Sequence, residues 1–259
     1  VLRGGIDRAG LLELLPKGGA RCAVDAALWD LEAKATGISA WKRAHIADPR
    51  TTISAYTIGI GAPEQMHEKA AKRAGYPLLK VKVDAENPLE LLRAVRSGAP
   101  DAKIILDPNA SWDRSLLKGI LPHLATLGVV LIEQPLPPEA DAELAGIARD
   151  IPICADESLH DAEDLARIAP LFDFVNIKLD KTGGLTAALT LATSAEAAGL
   201  RLMVGCMLGS SLAMAPAAIL AQRCHFVDLD GPLLQSEDVS HPIAYDQGRM
   251  SFPSPELWG

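Results

Sequence analysis

From Thr51 onward, short apolar runs alternate with longer Ala/Leu-rich stretches in which the apolar residues recur at helical spacing. A short apolar run bounded by turn residues reads as a buried strand, and the periodic stretches between them read as helices packed on a sheet. The pattern predicts strands near 52–58, 78–83, 103–107, 129–133, 152–156, 174–178, 201–206 and 225–228. It predicts helices near 63–74, 86–97, 113–126, 139–149, 161–169, 184–198 and 210–222. Such repeated βα units build a parallel sheet, and their even spacing favours closure into a barrel over an open, doubly wound sheet.

Residues 1–50 do not follow this rhythm. Arg21 to Thr36 carries Val24, Ala27, Leu28, Leu31 and Ala35 as a helical stripe, Gly37 ends it, and Asp48-Pro49 breaks the chain. Leu202 to Ala221 holds no charge and competes for a moment as a membrane span. Pro216, Ser210 and Ser211 inside it fit a strand, a loop and a packed helix better.

Composition mainly excludes. Hydrophobic residues make up 49% and charged residues 22%, an ordinary globular balance. Acidic residues outnumber Lys plus Arg by 33 to 25 and no basic cluster stands out, which argues against nucleic acid or an anionic membrane as partner. Cys22, Cys154, Cys206 and Cys224 are scattered with no paired framework, so a reducing, cytoplasmic setting is expected.

The chemistry begins in Leu79-Lys80-Val81-Lys82-Val83. Alternation along a strand puts Lys80 and Lys82 on one face and the apolar residues on the other. Alone, the pair reads as an edge strand guarded by lysines. The other strands change that reading, because Lys82, Asp107, Glu133, Asp156 and Lys178 close five consecutive strands at intervals of 25, 26, 23 and 22 residues. In a barrel this recurring position is the carboxyl end of the strands, where the active site sits. Any one of the acids could be a helix cap or a loop residue. Three of them at one mouth repel each other unless a cation lies among them, and hard oxygen ligands favour Mg²⁺ over zinc. The six histidines show no metal-binding spacing.

Lys178 shares a strand face with Asn176, and closure sets the second and sixth strands opposite each other. A base must be neutral to accept a proton; Lys80 and a divalent cation would both lower the pKa of Lys82 toward the working range. A lysine on each side of a substrate whose carboxylate is held by a metal describes proton abstraction beside a carboxylate through an ene-diolate. Removal on one face and return on the other inverts the carbon.

The motifs Lys80-x-Lys82, Asp107-Pro-Asn109, Glu133-Gln-Pro135, Ala155-Asp-Glu-Ser158 and Asn176-Ile-Lys178 resemble those of the enolase superfamily, muconate-lactonising subgroup. The resemblance covers about residues 20–240 and implies an α/β fold, a modified TIM barrel (β/α)₇β. It implies one Mg²⁺ per subunit on Asp107, Glu133 and Asp156, acid/base lysines at Lys82 and Lys178, and Lys80 neutralising the substrate carboxylate. Asn109 and Glu157 would support the metal ligands. The subgroup contains racemases, epimerases, cycloisomerases and a dehydrating synthase.

Asp228-Leu-Asp230 narrows the choice. Two carboxylates on one strand face suit an ammonium group, although Asp230-Gly231-Pro232 also reads as the start of a turn. Dipeptide epimerases of this subgroup use an Asp-x-Asp here for the substrate α-ammonium, and the runs 205–212 and 228–232 look like the Ala-Glu type. The resemblance implies inversion of the second residue of a small dipeptide, with Thr57, Cys206 and Met207 lining the pocket, each equally readable as packing. N-acylamino-acid racemases, o-succinylbenzoate synthases and muconate-type cycloisomerases are the alternatives. Ser39-Ala-Trp-Lys42 and Lys181-Thr-Gly183 echo parts of a penicillin-binding signature, but no Ser-Asp-Asn accompanies them and Lys181 reads as the loop after the sixth strand.

Members of this family begin with an α+β capping domain over the barrel mouth. Residues 1–50 resemble its last helices, so most of the cap sheet is expected to lie outside this sequence. The expected division is 1–50 as the remnant of the capping domain, 51–232 as the barrel and 233–259 as a segment packing back on the cap. The oligomeric state stays open, although barrels of this kind often assemble into homo-oligomers.

Overall fold

The computed structural model describes residues 5–259, and the first four residues of the 1–50 segment lie outside it. Among the described residues the strands are β1 (Thr52–Ile53), β2 (Tyr56–Ile58), β3 (Leu78–Lys82), β4 (Lys103–Asp107), β5 (Val129–Glu133) and β6 (Ile153–Ala155). They continue with β7 (Phe174–Lys178), β8 (Arg201–Gly205), β9 (Phe226–Asp228), β10 (Tyr245–Asp246) and β11 (Arg249–Met250). Strands β2 to β9 form one parallel sheet in chain order, and β1, β11 and β10 form a small antiparallel sheet. A bridge from Ser54 to Val227 and the hydrogen bond from Ala55 N to Val227 O at 2.8 Å bring the two edges together, so the large sheet curls into a nearly closed barrel. It is a modified TIM barrel.

The period-two alternation sorts side chains inside the barrel by height. At its floor, Ala55, Leu78, Ile105, Leu131, Cys154, Phe174 and Met203 pack together as an apolar plug. One step further along the same faces come Lys80, Asp107, Glu133, Asp156 and Asn176, and above Lys80 and Asn176 come Lys82 and Lys178. The opposite faces, with Leu79, Val81, Leu106, Ile132, Val175 and Ile177, are buried against the helices.

Two predicted elements differ. The run 52–58 is not one strand, because Ser54 and Ala55 separate β1, which pairs with β11, from β2 in the barrel. The segment 139–149 forms only a 3₁₀ stretch at Pro138–Leu144, and Gly146 then turns left-handed at φ +71°. Asp141 in that stretch is buried and held by Gln134, Ser158 and Arg167, which fixes the backbone in a local bend rather than an extended helix.

The helix predicted at 21–36 runs from Gly19 to Thr36, but its apolar stripe is not its buried face: Leu31 is 62% exposed, Ala27 and Ala35 are exposed as well, and Val24 and Leu28 are only half-buried. The buried side is Asp25, Trp29 and Ala33, together with the half-buried Arg21. Polar anchoring chooses this face. The Arg21 guanidinium donates to Thr182 O at 2.7 Å and Gly183 O at 3.2 Å, and Asp25 accepts the Thr186 N–H at 3.1 Å. Trp29 Nε1 donates to Thr186 Oγ1 at 2.9 Å. These bonds satisfy free carbonyl and amide groups at the end of one helix, Leu179–Thr182, and the start of the next, Leu185–Ala197. Gly184 is required there, since a Cβ at that position would lie 2.5 Å from Asp25 Cβ. The C-terminal tail meets the same helix, with Trp258 Nε1 donating to Ala26 O at 2.9 Å and Gly259 N to Asp30 at 2.7 Å. No helix among the described residues is long and apolar enough to cross a membrane.

Candidate active site

The polar residues of the strand ends converge at one end of the barrel. Lys80 is the most buried of the site lysines, 2% exposed, with its ammonium 3.1 Å from Asp107, 2.8 Å from Glu133 and 2.9 Å from Asp228. Burial opposes its charge, but the three carboxylates outweigh burial and hold its pKa well above the usual lysine range. Lys82 reaches Asp107 Oδ2 at 2.6 Å and Asn109 Oδ1 at 2.7 Å. Lys178 reaches Asp156 Oδ2 at 2.6 Å. Strands β3 and β7 are separated by three strands in either direction round the barrel, so these two lysines approach the mouth from opposite walls.

The acids are forced into ionic partnerships by their burial. Asp107, Glu133 and Asp156 are each at most 3% exposed. For Asp107 and Asp156, burial favours the neutral acid, but the neighbouring lysines prevail and hold both carboxyls below the usual range. Glu133 goes the other way. Burial first, and the charge of Asp107 next, push it up to about 8 despite Lys80.

Whether these residues suit a cation can be judged from their oxygens. Glu133 Oε2, 2.8 Å from the Lys80 ammonium, is buried with no well-directed hydrogen bond, while Oε1 accepts from Asn176 Nδ2 at 2.8 Å. Each of the three carboxylates leans on a lysine, and among the described residues no three Asp, Glu, His or Cys side chains are gathered closely enough to ligate one ion as they stand. The donors are nevertheless hard oxygens from three adjacent strands, one of them unsatisfied, which fits Mg²⁺ once the ammonium contacts yield.

At the end of β9 and just beyond it, Asp228 and Asp230 lie buried. Asp228 Oδ1 is buried without a donor. Asp230 Oδ2 accepts the Thr57 N–H at 2.6 Å, a bond that also ties β2 to the segment after β9. Burial and then the charge of Asp228 push the Asp230 carboxyl up to about 6. The Cys206 thiol stands close to both carboxylates, and burial followed by their charge pushes it up to about 12, so it is a neutral wall of the site. Met207, 46% exposed, and Leu208, 69% exposed, stand on the rim with Ile60.

Thr57, Cys206, Asp228 and Asp230 therefore stand at the ends of β2, β8 and β9, between the walls that carry Lys82 and Lys178, and Asp107, Glu133 and Asp156 stand on β4 to β6 across from them. The Asn109 side chain bridges Lys82 and Glu157, at 2.7 and 3.1 Å, and its backbone N–H reaches Asp107 at 2.8 Å. Three residues named in the sequence reading were given no role in the site there. Lys181 donates to Asp156 Oδ1 at 2.7 Å and to Asp156 O at 2.5 Å, and its signal was the one-turn spacing from Lys178. Asn176 holds Glu133, as its place on the Lys178 face allows. Gln134, in the left-handed region at φ +33°, joins the β5 and β6 loops, a contact that the Glu133-Gln-Pro135 motif does not by itself announce.

Residues 64–256 match the family model described as enolase C-terminal domain-like. An N-acetyl-D-glutamate racemase of a Pseudoalteromonas species is 44% identical over 96% of this chain and 79% of its own length. The L-Ala-D/L-Glu epimerase of Escherichia coli is 44% identical over 96% of this chain and 78% of its own. A crystal structure of an enolase family member from Agrobacterium tumefaciens with homology to dipeptide epimerases, holding sodium and L-Ala-L-Glu, superposes with a TM-score of 0.96 at 47% identity, covering 100% of this chain and 79% of that one. A dipeptide epimerase from Methylococcus capsulatus, complexed with Mg and L-Arg-D-Lys, superposes with a TM-score of 0.87 at 33% identity, covering 97% and 75%.

Proposed function

The chain belongs to the enolase C-terminal domain-like family, and from that premise we propose that it is an isomerase, a dipeptide epimerase that inverts the α-carbon of the second residue of small L,L-dipeptides of the Ala-Glu type. The observation that carries this reading is the pair Lys82 and Lys178, on opposite walls of one mouth, with Asp228 and Asp230 to one side. One lysine, in its neutral form, takes the α-proton, and the C–H bonding pair moves into the adjacent carboxylate to give an ene-diolate. The opposite lysine, as ammonium, returns a proton to the other face, so the step balances with no further reactant. Lys80 places a permanent positive charge beside the substrate carboxylate. Asp107, Glu133 and Asp156 would hold one Mg²⁺ per subunit, which when bound stabilises the negative charge growing on that carboxylate.

Asp228 and Asp230 receive the substrate α-ammonium, and the buried Asp228 Oδ1 that lacks a donor supports this. Thr57, Cys206 and Met207 line the same end, and Asn109 with Glu157 aligns Lys82. The N-acyl substrate of the racemase relative supports a second reading, racemisation of N-acylated amino acids. An acylated nitrogen carries no charge to meet two carboxylates. Residues 1–50 serve in this reading as the helical end of a capping domain, 51–232 as the barrel and 233–259 as the segment packed on that helix, in a cytoplasmic protein. The test is L-Ala-L-Glu with Mg²⁺ in D₂O, followed by NMR: loss of the Glu α-proton with inversion supports the epimerase, and exchange in N-acetylglutamate alone overturns it.

A further inference from the structure

The geometry points to Lys181 as a positioning residue that, with the Gln134 amide, clamps Asp156 and carries no proton to substrate; this rests on the two-lysine reading of the site. Asp156 is gripped through its main chain on both sides by side chains from the neighbouring strand ends. Gln134 Oε1, following β5, accepts the Asp156 N–H at 2.9 Å and the Ser158 N–H at 3.1 Å. Lys181 Nζ, following β7, donates to the Asp156 carbonyl at 2.5 Å and to Oδ1 at 2.7 Å.

Both jaws are themselves fixed. Gln134 Nε2 donates to Leu136 O at 2.8 Å, Ser158 Oγ at 2.8 Å and Asp141 Oδ1 at 3.2 Å, and Asp141 is held by Arg167 at 2.6 Å. An amide so engaged cannot flip without leaving buried groups unpaired. Lys181 rides on the turn Leu179–Thr182, whose carbonyl end Arg21 holds from behind. Three residues apart, Lys178 and Lys181 thus make unlike contacts. Lys178 has one bond, to Asp156 Oδ2, an oxygen that a ligand at the site can take over. Lys181 has a second bond on a peptide carbonyl, which no exchange at the carboxylate removes. Release of Oδ2 frees Lys178 for the α-carbon and leaves Lys181 in place.

The experiment compares Lys181→Met, Lys181→Arg, Lys178→Ala and Gln134→Glu with the parent in two measurements. Mg²⁺ binding is read by titration calorimetry without dipeptide, and α-proton exchange in D₂O is started separately from L-Ala-L-Glu and L-Ala-D-Glu. Lys181→Met is expected to weaken Mg²⁺ by about tenfold or more, as loss of a ligand-orienting partner does, and to slow exchange from both epimers by the same factor. Lys181→Arg, which retains the charge and the donors, should restore both, and Lys178→Ala should stop exchange from one epimer only. Gln134→Glu, which keeps an acceptor for the Asp156 N–H but loses the donors that fix it, gives an independent reading and should move Mg²⁺ affinity in the same direction. Unchanged Mg²⁺ affinity in folded Lys181→Met or in Gln134→Glu, or a loss confined to one epimer in Lys181→Met, overturns the clamp. If the parent protein exchanges neither dipeptide, the functional reading fails, and the Mg²⁺ titrations still decide the role of Lys181.

Discussion

Replacing Asp230 by Asn separates the ammonium site from the reacting centre. Asp230 is 4% exposed, and its Oδ2 accepts the Thr57 N–H at 2.6 Å. Asparagine keeps the shape and an acceptor for that N–H, so the seam between β2 and β9 stays closed. What disappears is one of two negative charges facing the substrate nitrogen. A hydrogen bond to a charged group contributes about 1.5–3 kcal/mol, and burial places this one toward the upper half, at about 2–3 kcal/mol. The expected loss in kcat/KM for L-Ala-L-Glu is therefore roughly 30- to 150-fold. N-acetyl-L-glutamate has no ammonium and should change by less than about threefold, the ordinary scatter for a contact it does not make. Both substrates are assayed by α-proton exchange in D₂O under saturating Mg²⁺. Equal losses for the two would refute the assignment, because they would place Asp230 in the support of the reaction itself.

Other consequences concern pH, handedness and packing. Asp230 carries its charge only above about 6, so kcat/KM for the free dipeptide should fall by about tenfold per pH unit below that value, and N-acetylglutamate should not follow. Because the folded-state pKa is raised, the contribution of this group to stability is present below the ordinary carboxylate range and is lost as pH rises through about 6; Asp230→Asn should flatten that part of the melting-temperature curve. Lys82→Ala and Lys178→Ala should each abolish inversion while leaving exchange from opposite epimers, and identical exchange patterns in the two variants would contradict the opposed-lysine geometry. Gly184→Ala brings a Cβ to 2.5 Å from Asp25 Cβ at a left-handed φ of +123°, and should cost about 2–3 kcal/mol, seen as a lowered melting temperature.

The barrel was legible because two periodicities coincide. Along each strand the period of two sends every second side chain inward, and along the chain one βα unit recurs, so Asp107, Glu133 and Asp156 fall at one height on successive walls, with Lys82 and Lys178 one step above on the two flanking strands. Contacts made by loops were not legible in this way. Lys181 and Gln134 meet at Asp156 only because two turns adopt particular local conformations, and the left-handed Gln134 has no marker in its neighbours. The stripe of the Gly19–Thr36 helix shows a different limit: hydrophobic spacing correctly announced a helix but not its orientation, which Arg21 and Asp25 determine by satisfying the ends of two barrel helices. Asp141 shows the same override, since a buried ionic contact bends a segment whose composition suits a helix.

The height ordering inside the barrel has a consequence for how such a catalyst changes. Lysines and carboxylates stand on strands whose outer faces are locked into the core, whereas Met207, Leu208 and Ile60 sit exposed on the rim. Exposed substitutions away from caps and networks typically shift stability by no more than about 0.5 kcal/mol. Preference among side chains can therefore drift at the rim while the machinery below stays untouched, and a selection for new dipeptides is best begun with a small library at 60, 207 and 208.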